Sequence, residues 1–222
     1  MNKRPLVIFG NTEIAELAHF YFGLDSGLQI AAFTVDAAYV REERFHGLPV
    51  VPFEHLAREF PAADHDCFIA LGYSRLNAVR KEKYLAAKAL GYRLVSYVST
   101  RTPIPAGVPV GDNCLILENT VIQPFACIGN NVTLWSGNHI GHHVRIKDHT
   151  FISSQVVLSG GVEIGEQCFI GVNTTLRDHI RIGDRCVIGA GCLLLEDAAA
   201  DGVYRGSPTP RSRVPSGRLG RL

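Results

Sequence analysis

From Ile104 to Leu194 an aliphatic side chain recurs at every sixth position of the chain. The series runs Ile104, Val110, Ile116, Ile122, Ile128, Leu134, Ile140, Ile146, Ile152, Leu158, Ile164, Ile170, Leu176, Ile182, Ile188 and Leu194. With roughly half of all positions apolar, an unbroken run of this length arises by chance about once in 10⁵ trials. A second column lies two residues earlier and is small, from Val108, Cys114 and Thr120 to Cys186 and Cys192, with Asn138 and Ile180 as its larger exceptions. The residue after the aliphatic is often glycine, as at Gly111, Gly129, Gly141, Gly165, Gly171, Gly183 and Gly189. Side chains two apart on a strand share a face, and glycine eases a tight turn. Neither a helical period nor simple alternation fits the stretch. The pattern predicts a parallel β-helix from 103 to about 195, built of short strands with two inward side chains and a corner. Three units close one triangular coil of eighteen residues.

Residues 1–99 read differently. Leu6 to Phe9 form a short apolar run ending at Gly10 and predict a buried parallel strand. Asn11 and Thr12 are N-cap types, and Ile14, Leu17, Ala18 and Tyr21 fall on one helical face. A strand from Gln29 to Val35 ends at Asp36, a helical face follows at Phe53, Leu56 and Phe60, and a strand from Cys67 to Leu71 ends at Gly72. A helix from about Arg75 to Leu90 and a last strand from Leu94 to Val98 complete an alternating α/β unit. The expected organisation is an α/β domain over 1–99, a β-helix over 100–196 and a tail over 197–222 that loses the repeat and whose end, carrying Arg211, Arg213, Arg218 and Arg221, is expected to be mobile.

In doubly wound units ligands gather beyond the C-terminal strand ends, which places Gly10 to Ile14, Asp36 and Gly72 around one crevice. The helix beginning near Thr12 can offer backbone N–H groups to a phosphate. A full G-x-G-x-x-G is absent, and Glu13 brings negative charge to that position. An ordinary strand-to-helix turn accounts for the same residues equally well.

The repeat register also orients four clustered histidines. His142 and His143 follow inward Ile140 and Gly141 and therefore face outward at a corner; His139 lies outward on the adjoining face, and His149 takes the equivalent of His143 on the next corner. An imidazole titrating near neutrality suits general-base chemistry. Gly160 follows His142 by eighteen residues, one coil further on the same corner, and can offer an N–H to an oxyanion. Solvated surface histidines and a metal site, as on the β-helices of gamma-class carbonic anhydrases, are the competing readings.

Composition narrows the class. Apolar residues make up 46% of the 222 residues and charged residues 19%, with a net charge of +1, so nothing favours nucleic acid or an acidic membrane surface as partner. No apolar stretch approaches the roughly 20 residues of a membrane span, and Met1 to Pro5 lead into too short an apolar run for a signal peptide. The cytoplasm is the default location. The six cysteines form no C-x-x-C pair, and Cys114, Cys168, Cys186 and Cys192 fall in the inward column as packing residues.

An α/β unit followed by this repeat, with Ile-Gly-His-His at 140–143 and Gly-Gly-Val-Glu-Ile-Gly at 160–165, resembles the bacterial PglD/NeuD type of sugar acyltransferase in the hexapeptide-repeat acyltransferase superfamily. The resemblance implies a Rossmann-like nucleotide-sugar-binding domain, a left-handed β-helix and a homotrimer. It implies acetyl-CoA-dependent N-acetylation of a nucleotide-linked amino sugar for polysaccharide or glycan synthesis, without a metal. It makes His142 the general base and Gly160 N–H the oxyanion donor, and it puts coenzyme A near Phe151, Val172 and Ala190. It puts the nucleotide-sugar near Gly10, Thr12, Glu13, Ile14, Asp36 and Gly72. His143 stands where the family carries an acidic residue. An O-acyltransferase, a transferase of another acyl group and a non-enzymatic nucleotide-sugar-binding protein are the alternative activities.

Overall fold

The computed structural model describes residues 3–213 and Arg218. Positions 214–217 and 219–222, which include Arg221 of the expected tail, lie outside the described residues.

In the N-terminal unit, β1 (Leu6–Phe9), β2 (Ile30–Val35), β4 (Leu48–Pro52), β5 (Asp66–Ile69) and β6 (Arg93–Leu94) pair in parallel, and β3 (Arg44–Phe45) adds an antiparallel edge. The strand order is β3-β4-β2-β1-β5-β6. Strand residues alternate between two apolar layers. Leu6, Ile8, Phe33 and Phe68 pack on one side with Ala15, Ala18 and Phe22 of α1 (Glu13–Asp25). Val7, Ala32, Cys67 and Ile69 pack on the other with Leu56 of α2 (Leu56–Glu59) and Tyr84 and Ala87 of α3 (Ala78–Ala89).

The structure departs from these expectations at four places. The β3–β4 hairpin lies in a segment whose alternation is too short to register. Helix α3 starts at Ala78 rather than Arg75, because Arg75, Leu76 and Asn77 take positive φ of 51°, 51° and 63°. The strand expected over Leu94 to Val98 is divided: β6 stays with β5, whereas β7 (Tyr97–Val98) pairs with Leu115–Ile116 and opens the coil. The coil thus begins at Tyr97, three residues before the expected boundary at 100. Val203–Tyr204, placed in the expected tail, pairs with Val187–Ile188 as its last rung.

Between these limits each strand residue pairs with the one eighteen positions on, as in Thr133 with Phe151 and Ile140 with Leu158. The aliphatic column is buried from Ile116 to Leu194, and Cys114, Cys168, Cys186 and Cys192 are buried beside it. Asn138 stays inside because its carboxamide bonds Trp135 O at 2.6 Å and Val156 N at 2.8 Å.

The three faces differ in what they turn outward. Leu115, Thr133, Phe151 and Phe169 lie under the α/β unit and form a covered face, with Tyr73 packed on both phenylalanines. Val121, His139, Val157, Thr175 and Leu193 make an apolar face without cover in this chain, and Cys127, Arg145, Glu163 and Arg181 make a charged one.

Helix α3 clamps the two units together along the corner between the charged and covered faces. Arg80 is fully buried; its guanidinium donates to Thr133 Oγ1 at 2.6 Å, Asn77 Oδ1 at 3.2 Å and His149 O at 3.0 Å. Burial pulls its pKa down to about 10, still well above neutrality. Asn77 donates to Cys168 O, and Gln167 donates to Leu76 O. Replacing Arg80 with alanine leaves these acceptors unbonded and a void behind, and is expected to cost about 3 kcal/mol. Chemical denaturation measures it; a loss within the error of the method contradicts this role.

Candidate active site

The coil places His142, His143 and Gly160 together at the corner between the apolar and charged faces. Each corner needs a left-handed residue, and His143 supplies one at φ 60°. Both histidines are exposed. Their Nδ1 atoms lie 3.1 Å apart, so one carries the proton and the other accepts it. With the proton on His142 Nδ1, its Nε2 keeps a lone pair.

The His142 ring lies directly over Gly160: a methyl group built there would stand 2.5 Å from His142 Nε2. Glycine at 160 is therefore what seats the imidazole. The corner amides one and two coils earlier are committed otherwise, since position 124 is proline and His142 N–H donates to Gln123 Oε1 at 2.8 Å. The Gly160 N–H has no acceptor among the described residues. A lone pair and an uncommitted N–H thus stand side by side, which is what acyl transfer to an amine or hydroxyl needs.

His149 departs from the expectation of an outward histidine. It is buried beneath α3, with Tyr84 against its ring, and its Nδ1 is bonded to the Asn131 carboxamide at 2.9 Å. Burial, with Lys81 nearby, lowers its pKa and keeps it neutral. It belongs to the seam between the units. His139 is half-buried on the apolar face.

Val172 and Ala190 are exposed and adjacent on the corner between the covered and apolar faces, where Gly191 N–H bonds Val172 O at 2.8 Å. Phe151 is not with them. At 3% exposure it is packed beneath Tyr73 and beside Arg80, so its place in an exposed cofactor groove is corrected to one inside the unit interface. Within one chain, the Val172 corner and the His142 corner border opposite sides of the apolar face.

The crevice residues do gather at the C-terminal edge of the parallel sheet. Gly10, at φ 132°, sits so near the next strand that a Cβ added there would stand 2.7 Å from Ala70 O, so no larger residue fits. Thr12 caps α1 through its carbonyl, and its side chain makes no capping bond. Glu13 is exposed in the first turn, and Gly72 packs near Ile14. Asp36 is bonded by Lys83 at 2.7 Å, and the Lys83 ammonium also lies over the rings of Phe9 and Phe53. Lys83 escaped sequence reasoning, because its position on α3 carries no motif. Its charge offsets that of Asp36 at the crevice. A small cavity lined by Ile14, Leu71, Trp135 and Phe151 lies where this crevice meets the covered face. Among the described residues no group of three or more His, Cys, Asp or Glu side chains is placed to hold a metal, and no helix is long and apolar enough to cross a membrane.

Residues 107–142, 128–160 and 161–195 match the family model for bacterial transferase hexapeptide (six repeats). No curated protein matches the chain in sequence. Among solved structures, the hexapeptide coil and the α/β unit together resemble perosamine N-acetyltransferase from Caulobacter crescentus, in complex with CoA and GDP-perosamine. That likeness has 23% identity, a TM-score of 0.81, and covers 91% of this chain and 94% of the other. The acetyltransferase domain of PglB from Neisseria gonorrhoeae, in complex with acetyl coenzyme A, is similar at 19% identity and a TM-score of 0.82, covering 93% and 98%. WeeI from Acinetobacter baumannii is similar at 20% identity and a TM-score of 0.71, with the same coverage. These likenesses establish the fold of both units.

The seating of the imidazole is directly testable. In Gly160→Ala the new methyl takes the place of the His142 ring, and a crystal structure is expected to find that ring turned away while the coil is unchanged. A ring still seated over position 160 contradicts the packing argument.

Proposed function

We propose that the chain is an acetyl-CoA-dependent N-acetyltransferase of a nucleotide-linked amino sugar, with a Rossmann-like nucleotide-binding unit and a left-handed hexapeptide coil, working in the cytoplasm. The observation that carries this reading is the His142 lone pair beside the uncommitted N–H of Gly160. The similar structures in complex with CoA and GDP-perosamine, and with acetyl coenzyme A, support the substrate class.

Acetyl-CoA supplies an activated acyl carbon as thioester. His142 Nε2 takes the proton that the sugar amine loses as its nitrogen bonds to that carbon. Gly160 N–H donates to the carbonyl oxygen as negative charge develops there. His143 accepts a hydrogen bond from Nδ1–H of the resulting imidazolium, in the place of a carboxylate, and takes no proton from it. The proton on His142 then passes to the departing sulfur, so atoms and charge balance.

The same reading makes the site a joint product of two chains. In a ring of three parallel coils with the apolar faces turned to the axis, the His142 corner of one copy lies beside the Val172 corner of the next. The neighbour then contributes the corner of Val172 and Ala190 for coenzyme A, together with its crevice of Gly10, Thr12, Glu13, Ile14, Asp36 and Gly72 for the nucleotide. The uncovered Val121, Val157 and Leu193 support that packing.

Thiol release from acetyl-CoA, followed with UDP-, dTDP- and GDP-linked amino sugars, tests the activity. Turnover is expected with an amino sugar and not with its hydroxyl analogue, and His142→Ala is expected to lower it about 10²–10⁴-fold with the oligomer intact. Near-normal turnover in that variant refutes the assignment of the base. Transfer to the hydroxyl analogue points instead to an O-acyltransferase, and tight sugar-nucleotide binding without any thiol release to a binding protein.

A further inference from the structure

Phe125 lies one coil before His143 on the same corner, with its ring 4.8 Å from the imidazole and tilted 32° to it. It is 70% exposed and takes the left-handed conformation at φ 67°. The corresponding corner positions elsewhere are filled by glycine or by polar residues, such as Asn113, Asn131, His149, Gln155, Gly161 and Arg185, and among the described residues Phe125 is the one apolar side chain in that column of corners. A phenylalanine there is unfavourable twice over. Its backbone is strained, and its ring gains little from burial. Folding alone does not select it, so its value lies in what it meets.

Position decides what that is. His142 leans toward Gly160 on the C-terminal side of the pair, and Phe125 borders the pair on the N-terminal side. Phe125 shares a coil with Trp135, which lines a small cavity with Ile14 and Leu71 at the α/β crevice. In the proposed ring it stands level with the neighbour's crevice. A sugar whose nucleotide is held in that crevice and whose amine reaches His142 must cross this ring.

We propose that Phe125 is the platform on which the acceptor sugar stacks, an inference that rests on the acetyltransferase reading above. The ligand chemistry is a pyranose with one face rich in C–H bonds, which an aromatic face accepts without hydrogen bonds. Phe125 then positions the amine against His142 and contributes to the choice of sugar, while the nucleotide is chosen elsewhere.

Phe125→Asn separates this role from a structural one, since asparagine suits the backbone and removes the ring. The variant is expected to melt about 2–4 °C above the wild type. Its KM for the sugar nucleotide is expected to rise about tenfold, with KM for acetyl-CoA, affinity for the free nucleoside diphosphate and oligomer mass all unchanged. An unchanged KM for the sugar nucleotide overturns the platform. A lower melting point or a smaller oligomer overturns it too, by making Phe125 a packing or subunit contact. A wild-type chain that releases no thiol with any amino sugar overturns the acetyltransferase reading and the platform with it, whereas an active wild type with an unaffected variant overturns the platform alone.

Discussion

Pairing of each residue with the one eighteen positions later governs everything this molecule presents. Parallel ladders of that register keep Ile140 over Ile122 and under Leu158, and Thr133 over Leu115 and under Phe151. Every side chain therefore belongs to a vertical column, and each column has a fixed environment. Inward columns hold the core. The outward columns sort into a covered, an apolar and a charged face. A one-residue slip would exchange inward and outward columns on every strand, so the interior aliphatics that stabilise the coil also fix the place of His142 over Gly160.

The α/β unit depends on the same ladder. Three successive levels of one corner, Asn113, Asn131 and His149, are bonded in series from Ile69 N–H of β5 to the imidazole, and α3 covers the last of them. Arg80 adds a guanidinium with no carboxylate beside it, held by neutral oxygens. This seam uses one face and one corner of the coil and leaves the apolar face and both of its corners for substrates and, in the proposed ring, for other copies. In that proposed ring the crevice, the Val172 corner and the His142 corner are parts of a site that no single chain completes.

The sequence made the coil legible almost residue by residue, because a repeat of six with two inward positions has few structural solutions. The outward setting of His142 and His143 and their alignment with Gly160 followed from counting alone. What escaped depended on contacts between units. His149 looks like any other corner residue until α3 covers it, and Phe151 looks like an outward strand residue until Tyr73 does. The late start of α3 escaped because three left-handed residues, Arg75 to Asn77, turn the chain toward the coil, and left-handed arginine and leucine have no sequence signature. Lys83 and Phe125 escaped for the opposite reason: each is an ordinary residue type whose importance is set by one neighbour, Asp36 for the first and His143 for the second.

Subunit complementation tests the central claim, that the His142 corner of one chain serves the crevice and Val172 corner of the next. His142→Ala chains are mixed with chains carrying a bulky Ala190→Trp substitution, each inactive alone, and the oligomers are dissociated and reassembled together. A site shared between neighbours regains function wherever an intact His142 faces an intact Ala190, which random assembly in a closed ring gives in about a quarter of sites. Recovery near that level is the predicted result. Mixed oligomers without activity would contradict the account, because they would place the whole site within a single chain.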